Sequence, residues 1–216
     1  MSTHTSPRRT VRFSRRELRD LGAAWVALGV AFTIFLGRGV IQGLLAGTVG
    51  AGTAARLFAL SMLTVGTGFL LHELAHKVVA VRFGQVAAFR ADYGMLGLAV
   101  LAAMVGFLFA APGAVYHRGQ ITTRENGLIA LAGPVTNIGL AALFVPVVFA
   151  PGFAGDVGEM GVFINVLLAG FNMIPFGPLD GRKVLAWNRA VFAAVAVPTI
   201  VAAAALVFGV VPIDVF

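Results

Sequence analysis

Long apolar runs, broken by short polar or glycine-rich stretches, set the pattern of this chain. Leu21–Gly37, Leu57–Val81, Gly127–Ala150, Gly161–Ile174 and Ala190–Val211 are apolar on every side, without the polar face of a helix on a soluble core. A bilayer core about 30 Å thick takes about 20 such residues to cross as a helix. The runs therefore predict five spans, the fourth leading inward to a break at Pro175. Tyr93–Tyr116 is apolar enough to cross but is broken by Gly94, Gly97, Gly106, Pro112 and Gly113.

Polar residues between the runs fix a topology. Residues 1–20 hold Arg8, Arg9, Arg12, Arg15, Arg16 and Arg19 beside the first span, which predicts a loose basic cytoplasmic segment. The second span then ends inside, at Arg82 and Arg90. If 93–116 crossed, Arg118 and Arg124 would be carried outside; a re-entrant hairpin or a pair of short elements keeps them inside. Irregular backbone at that depth is tolerated when buried in protein or lining a cavity. The loop Pro151–Glu159 carries Asp156 and Glu159 but no basic residue, as expected outside, and the C-terminus ends outside. Gly39, Gly43 and Gly47 have small-xxx-small spacing, but so glycine-rich a stretch reads as an external loop or a loosely helical extension. The expected fold is an all-α polytopic membrane protein, a bundle of about five to six transmembrane helices with a re-entrant element after the second. Residues 21–216 form one transmembrane domain, with no repeat and no second domain.

Composition agrees. Only 12% of the 216 residues are charged, against about 25% in soluble domains, and the mean hydropathy is +0.92. The net charge of +7 could suggest nucleic acid. Its concentration beside the first span reads instead as an orientation signal and a contact for anionic lipid, with no nucleic-acid partner. The first apolar run lacks a convincing cleavage site and is read as an uncleaved anchor. There is no cysteine, so thiolate metal ligands are excluded.

Chemistry enters at Phe69–Ala80, FLLHELAHKVVA, where His72, Glu73 and His76 interrupt the second span. Histidines at i, i+4 stack on one helix face and can share a zinc ion, with the adjacent glutamate as general base. Ionisable groups inside a membrane are expensive and mark function. Glu73 precedes Arg82 by nine residues, about 14 Å along a helix, which submerges the site close to the cytoplasm. A catalytic zinc takes a third protein ligand. The candidates are Asp92, His117, Glu125, Asp156, Glu159 and Asp180. Asp156 and Glu159 fall on the far face; Asp180 follows a helix broken by Pro175 and Pro178 and returns to the near one. Lys77 is expected to snorkel to the cytoplasmic interface, and His4 and His117 to lie on the surface. Gly133-Pro134 could be no more than a kink, and Asn137 and Asn172 no more than interhelical hydrogen-bond partners.

In combination these motifs resemble the site-2 protease family of intramembrane zinc metalloproteases: HELAH (His72–His76), GPVTN (Gly133–Asn137) and NMIPFGPLDG (Asn172–Gly181), in that order. The resemblance covers about 57–183, the catalytic core. It implies one zinc ion per chain held by His72, His76 and Asp180, water activated by Glu73, and Asn172 holding substrate or the oxyanion. Gly133, Pro134, Asn137, Pro175, Pro178 and Gly181 would then shape the site or position substrate. It also implies a re-entrant element between the first two core helices. No PDZ-like or CBS-like segment is expected, which suggests a minimal member. The expected activity is hydrolysis of peptide bonds in or near a transmembrane segment of another protein, in the cell membrane, with homo-oligomers left open. A metal or proton transporter is the rival, but it needs no glutamate after the first histidine and often repeats its fold. An inactive member acting as a membrane chaperone fits poorly with the intact ligand set.

Overall fold

The computed structural model describes residues 10–107 and 112–210. His4, Arg8 and Arg9, the middle of the 93–116 stretch and the end of the last predicted span lie outside them. Nine helices and a two-stranded sheet follow in the order α1 (Arg15–Leu36), α2 (Arg38–Leu45), α3 (Ala51–Ser61), α4 (Thr67–Arg82), β1 (Val86–Ala91), α5 (Tyr93–Met104), β2 (Gly113–Arg118), α6 (Thr123–Val148), α7 (Phe153–Asn172), α8 (Asp180–Trp187) and α9 (Arg189–Val207). Five segments are long and apolar enough to span: α1, the continuous α3–α4 unit Ala51–Arg82, α6, α7 and α9. The molecule is the all-α polytopic membrane protein the apolar runs predict.

The glycine-rich stretch after α1 is not a loop, since α2 and the start of α3 occupy it. A single π-helical turn, Met62–Gly66, joins α3 to α4. Such a turn leaves a helix carbonyl without its usual partner, and π-turns recur near functional sites. Trp25 of α1 supplies a donor: its indole N–H reaches the Met62 carbonyl at 3.0 Å.

The ambiguous stretch dips in and returns. β1 and β2 pair antiparallel from Val86↔Arg118 to Ala91↔Gly113, and the Asp92 amide donates to the Pro112 carbonyl at 3.0 Å, closing the base. Between them α5, capped by the Asp92 side chain on the Met95 amide, runs 12 residues. At 1.5 Å per residue that is about 18 Å, too short for a bilayer core of about 30 Å. The element is wider than 93–116 because it begins with β1, whose small residues gave little strand signal.

Residues 10–20 are not all loose. Ser14 caps α1 by accepting from the Glu17 amide, and Glu17 and Asp20 are buried. Lys77 is also buried, at 1% exposure, rather than reaching for the interface. The reason is local: Glu17 comes within 2.6 Å of its ammonium, so the charge is satisfied inside the protein.

Candidate metal centre

On α4, residues four apart stand one above the other, so His72 and His76 present their rings to the same neighbour, α6. The rings meet edge to face with centroids 4.6 Å apart. On that side α6 packs against them around its GPVTN sequence. A Cβ on Gly133 would lie 2.5 Å from His72 Nε2 and 2.6 Å from His76 Cε1, so only glycine leaves room for both imidazoles. Pro134 has no N–H, and its ring crowds the preceding turn, tilting carbonyls outward. In that turn the Ile129 carbonyl accepts from His76 Nδ1 at 2.7 Å. One turn further, Asn137 Oδ1 accepts from His72 Nδ1 at 2.5 Å.

A chain of unambiguous acceptors fixes these roles. The Gly161 carbonyl can only accept, so the Asn165 amide nitrogen faces it at 2.8 Å. Asn165 Oδ1 then accepts from Asn137 Nδ2 at 2.8 Å, which turns Asn137 Oδ1 toward His72. The Gly68 carbonyl takes a further Asn137 N–H at 3.2 Å. Both histidines therefore donate through Nδ1, which leaves each Nε2 facing away from α6 as the atom available to a metal.

Asp180 completes the arrangement. Pro175 and Pro178 lie in the irregular link between α7 and α8, and a Cβ on Gly181 would lie 2.2 Å from the Met173 carbonyl, so α8 starts hard against the end of α7. This returns Asp180, in the first turn of α8, to the histidines. Its Oδ2 lies 3.3 Å from His72 Nε2 and 3.0 Å from His76 Nε2. With both imidazoles neutral, their Nε2 lone pairs and the carboxylate oxygen repel one another unless a cation sits between them. Ligand bonds of about 2.0 Å in a tetrahedral site separate donor atoms by about 3.3 Å. The donor set fits zinc. Glu73 is a second carboxylate near the imidazoles, its ligand atom within 4.8 Å of theirs. Asp180 approaches both Nε2 atoms more closely, and Glu73 Oε2 is buried with no hydrogen-bond partner among the described residues, which suits it to bind water instead.

These groups line a cavity of about 680 Å³ whose remaining wall is mostly apolar, including Phe32, Phe69, Phe163 and Phe171. Asn172 lies on the wall, one amide proton engaged by the Leu168 carbonyl at 2.9 Å. His117 is not simply a surface residue: it lines the cavity from β2. Partial burial, then the charge of Lys183, lowers its pKa and favours the neutral imidazole. Lys183 also faces the cavity, its ammonium 3.4 Å from Asp180 Oδ1. Asn165, Glu17 and Lys183 went unnoticed in the sequence. Glu17 had a signal, the Ser14-x-x-Glu17 pattern of a capped helix start; Asn165 had none.

Comparison with known proteins agrees with this centre. No family model and no solved structure matches the chain. It is 40% identical over 194 residues to a protein of Methanocaldococcus jannaschii named as a candidate zinc metalloprotease, MJ0611, covering 88% of this chain and 93% of the relative. It is 29% identical to YwhC of Bacillus subtilis, over 57% of this chain and 66% of the relative. It is 30% identical to Rip3 of Mycobacterium tuberculosis, over 65% of this chain and 32% of the relative; both carry the same zinc metalloprotease description. With that identity across nearly the whole chain, and with donors that fit the metal, the chain belongs to the site-2 protease-like family of zinc metalloproteases.

Proposed function

We propose that the protein is an intramembrane zinc endopeptidase that cuts a peptide bond in or near a transmembrane segment of another protein. The observation that carries this is the convergence of His72, His76 and Asp180 on one point, beside an unpartnered Glu73 oxygen, within apolar spanning helices. His72, His76 and Asp180 hold the metal. Zinc, when bound, supplies Lewis acidity toward water and the scissile carbonyl. Glu73 takes the proton of the attacking water on its free oxygen and returns it to the leaving amine. Asn172 retains an amide proton and an oxygen for the substrate or its developing oxyanion.

A helical substrate has its carbonyls bonded internally, so it must unwind before the bond can be attacked. β2 offers the unwound segment a partner: among the described residues it pairs with β1 alone, and Gly113, Ala114 and Val115 line the cavity. Backbone pairing along that edge would hold the substrate extended over Glu73, as in strand addition to an open sheet. The apolar wall suits the side chains of a membrane segment. The basic residues of 10–20, with Arg82 and Arg90, support a cytoplasmic N-terminus and a site near the cytoplasmic face of the cell membrane. We take about 57–183 as the catalytic core.

Cleavage of a membrane-embedded reporter in liposomes, by wild type and by Glu73→Gln with zinc measured in both, tests the reading. Loss of cleavage with zinc retained supports it. Equal cleavage by two zinc-loaded proteins sinks it.

A further inference from the structure

The first turn of α1 makes contacts that the metal centre does not explain. Glu17 and Lys77 are each 1% exposed. The Lys77 ammonium donates to Glu17 Oε1 at 2.6 Å and to the Arg12 carbonyl at 2.6 Å, and lies 3.8 Å from the centroid of the Phe13 ring. Stability alone is a poor reason for such a pair, since apolar residues of similar volume often replace one without loss.

Glu17 Oε1 has another partner, the Phe89 amide of β1, at 3.1 Å. Phe89 lies opposite Val115 in the sheet. Because the Phe89 N–H leaves the sheet, the two residues form a pair whose backbone groups face away from each other. The Val115 N–H and C=O therefore face the other edge, the one that lines the cavity. Glu73 lines the same cavity from α4. Glu73 and Lys77 are themselves i, i+4 on α4 and share a face. A line of contacts runs from Lys77 to Glu17 and across β1 to β2, ending at the cavity that Val115 and Glu73 both line. One turn along α1, Asp20 accepts from the Tyr93 hydroxyl at 2.8 Å, tying down the start of α5 as well.

We propose that Glu17 and Lys77 are positioning residues: together they hold the outer edge of the hairpin, so that the Val115 edge stands in register with Glu73. Neither touches substrate. The consequence for catalysis rests on the reading of the β2 edge as the place where substrate pairs.

Two double variants separate the roles, and neither leaves an unpaired buried charge. Glu17→Leu/Lys77→Met removes the acceptor for the Phe89 amide; Glu17→Gln/Lys77→Gln keeps one. Zinc content, hydrogen exchange at Phe89 and reporter cleavage are measured for each. Both variants should keep zinc. In the Leu/Met protein the Phe89 amide should exchange about tenfold faster, and cleavage should fall about tenfold, while the Gln/Gln protein stays near wild type. Equal cleavage by the two doubles overturns the proposal. Zinc lost in step with cleavage also overturns it, because the pair would then serve the metal helix rather than the hairpin. In the unsubstituted protein the Phe89 amide should exchange as slowly as the cross-strand amides of β1; exchange at the rate of an open edge overturns the proposal without any variant. None of these overturning results touches the Glu73→Gln test, on which the protease reading stands separately.

Discussion

Asn165 accepts a hydrogen bond from Asn137 at 2.8 Å, and that contact decides which nitrogen of His72 faces the metal position. Asn165 meets neither histidine. It acts by holding the Asn137 amide, together with the Gly68 carbonyl, against a flip that would offer Nδ2 in place of Oδ1. Groups that orient a metal-ligating histidine typically contribute 10–100-fold to affinity, so Asn165→Ala should weaken zinc binding by about that factor. Competition with a chelator of known affinity measures it. Unchanged affinity would show that Asn137 holds its orientation through the Gly68 carbonyl alone.

The spans and the metal helix were legible because their signals are local. An apolar run of the right length predicts a crossing, and His72–His76 places two ligands by helix geometry alone. Asp180 was legible in part, since two prolines and a charge pattern suggested a return toward the histidines, and its carboxylate does lie beside both rings. Asn165 was not, because an asparagine in a spanning helix carries no mark of its distant partner. Lys77 misled for a related reason. Its neighbours in sequence suggest an interface, while its actual partner, Glu17, lies 60 residues earlier. β1 was missed because pairing with β2 supplies what its own sequence, Val86–Ala91, does not.

Gly133 is the point where two helices leave no room for a side chain. With Ala, a Cβ about 2.5 Å from His72 Nε2 and Cε1 would force the imidazole aside. The expected outcome for Gly133→Ala is a folded protein, with helical content near wild type, that holds little zinc. Far-ultraviolet circular dichroism together with metal analysis checks it. Full zinc occupancy would mean that α6 can recede from α4.

Trp25 can be tested without emptying its site. Trp25→Phe keeps most of the ring against Gly66 but removes the N–H that serves the Met62 carbonyl in the π-turn. Losing one such bond should lower stability by about 1 kcal/mol. Thermal unfolding in detergent measures this, with zinc content expected to stay unchanged because the turn lies well before His72.

Burial separates two of the ion pairs that cross between distant elements. Arg56 and Asp156 pair with side chains 50% and 34% exposed, while Lys77 and Glu17 are almost completely enclosed. Exposed pairs contribute about 0–1 kcal/mol, so Asp156→Asn should leave the unfolding midpoint nearly unmoved. Lys77→Met leaves Glu17 buried and uncompensated, a change that usually costs about 3–5 kcal/mol. Asp156 also lies apart from the histidines, so Asp156→Asn should retain one zinc ion per chain, while Asp180→Ala should lose the metal or bind it far more weakly. Metal analysis after gel filtration separates the two aspartates: zinc kept by Asp180→Ala would remove Asp180 from the ligand set and leave Glu73 as the carboxylate beside the imidazoles.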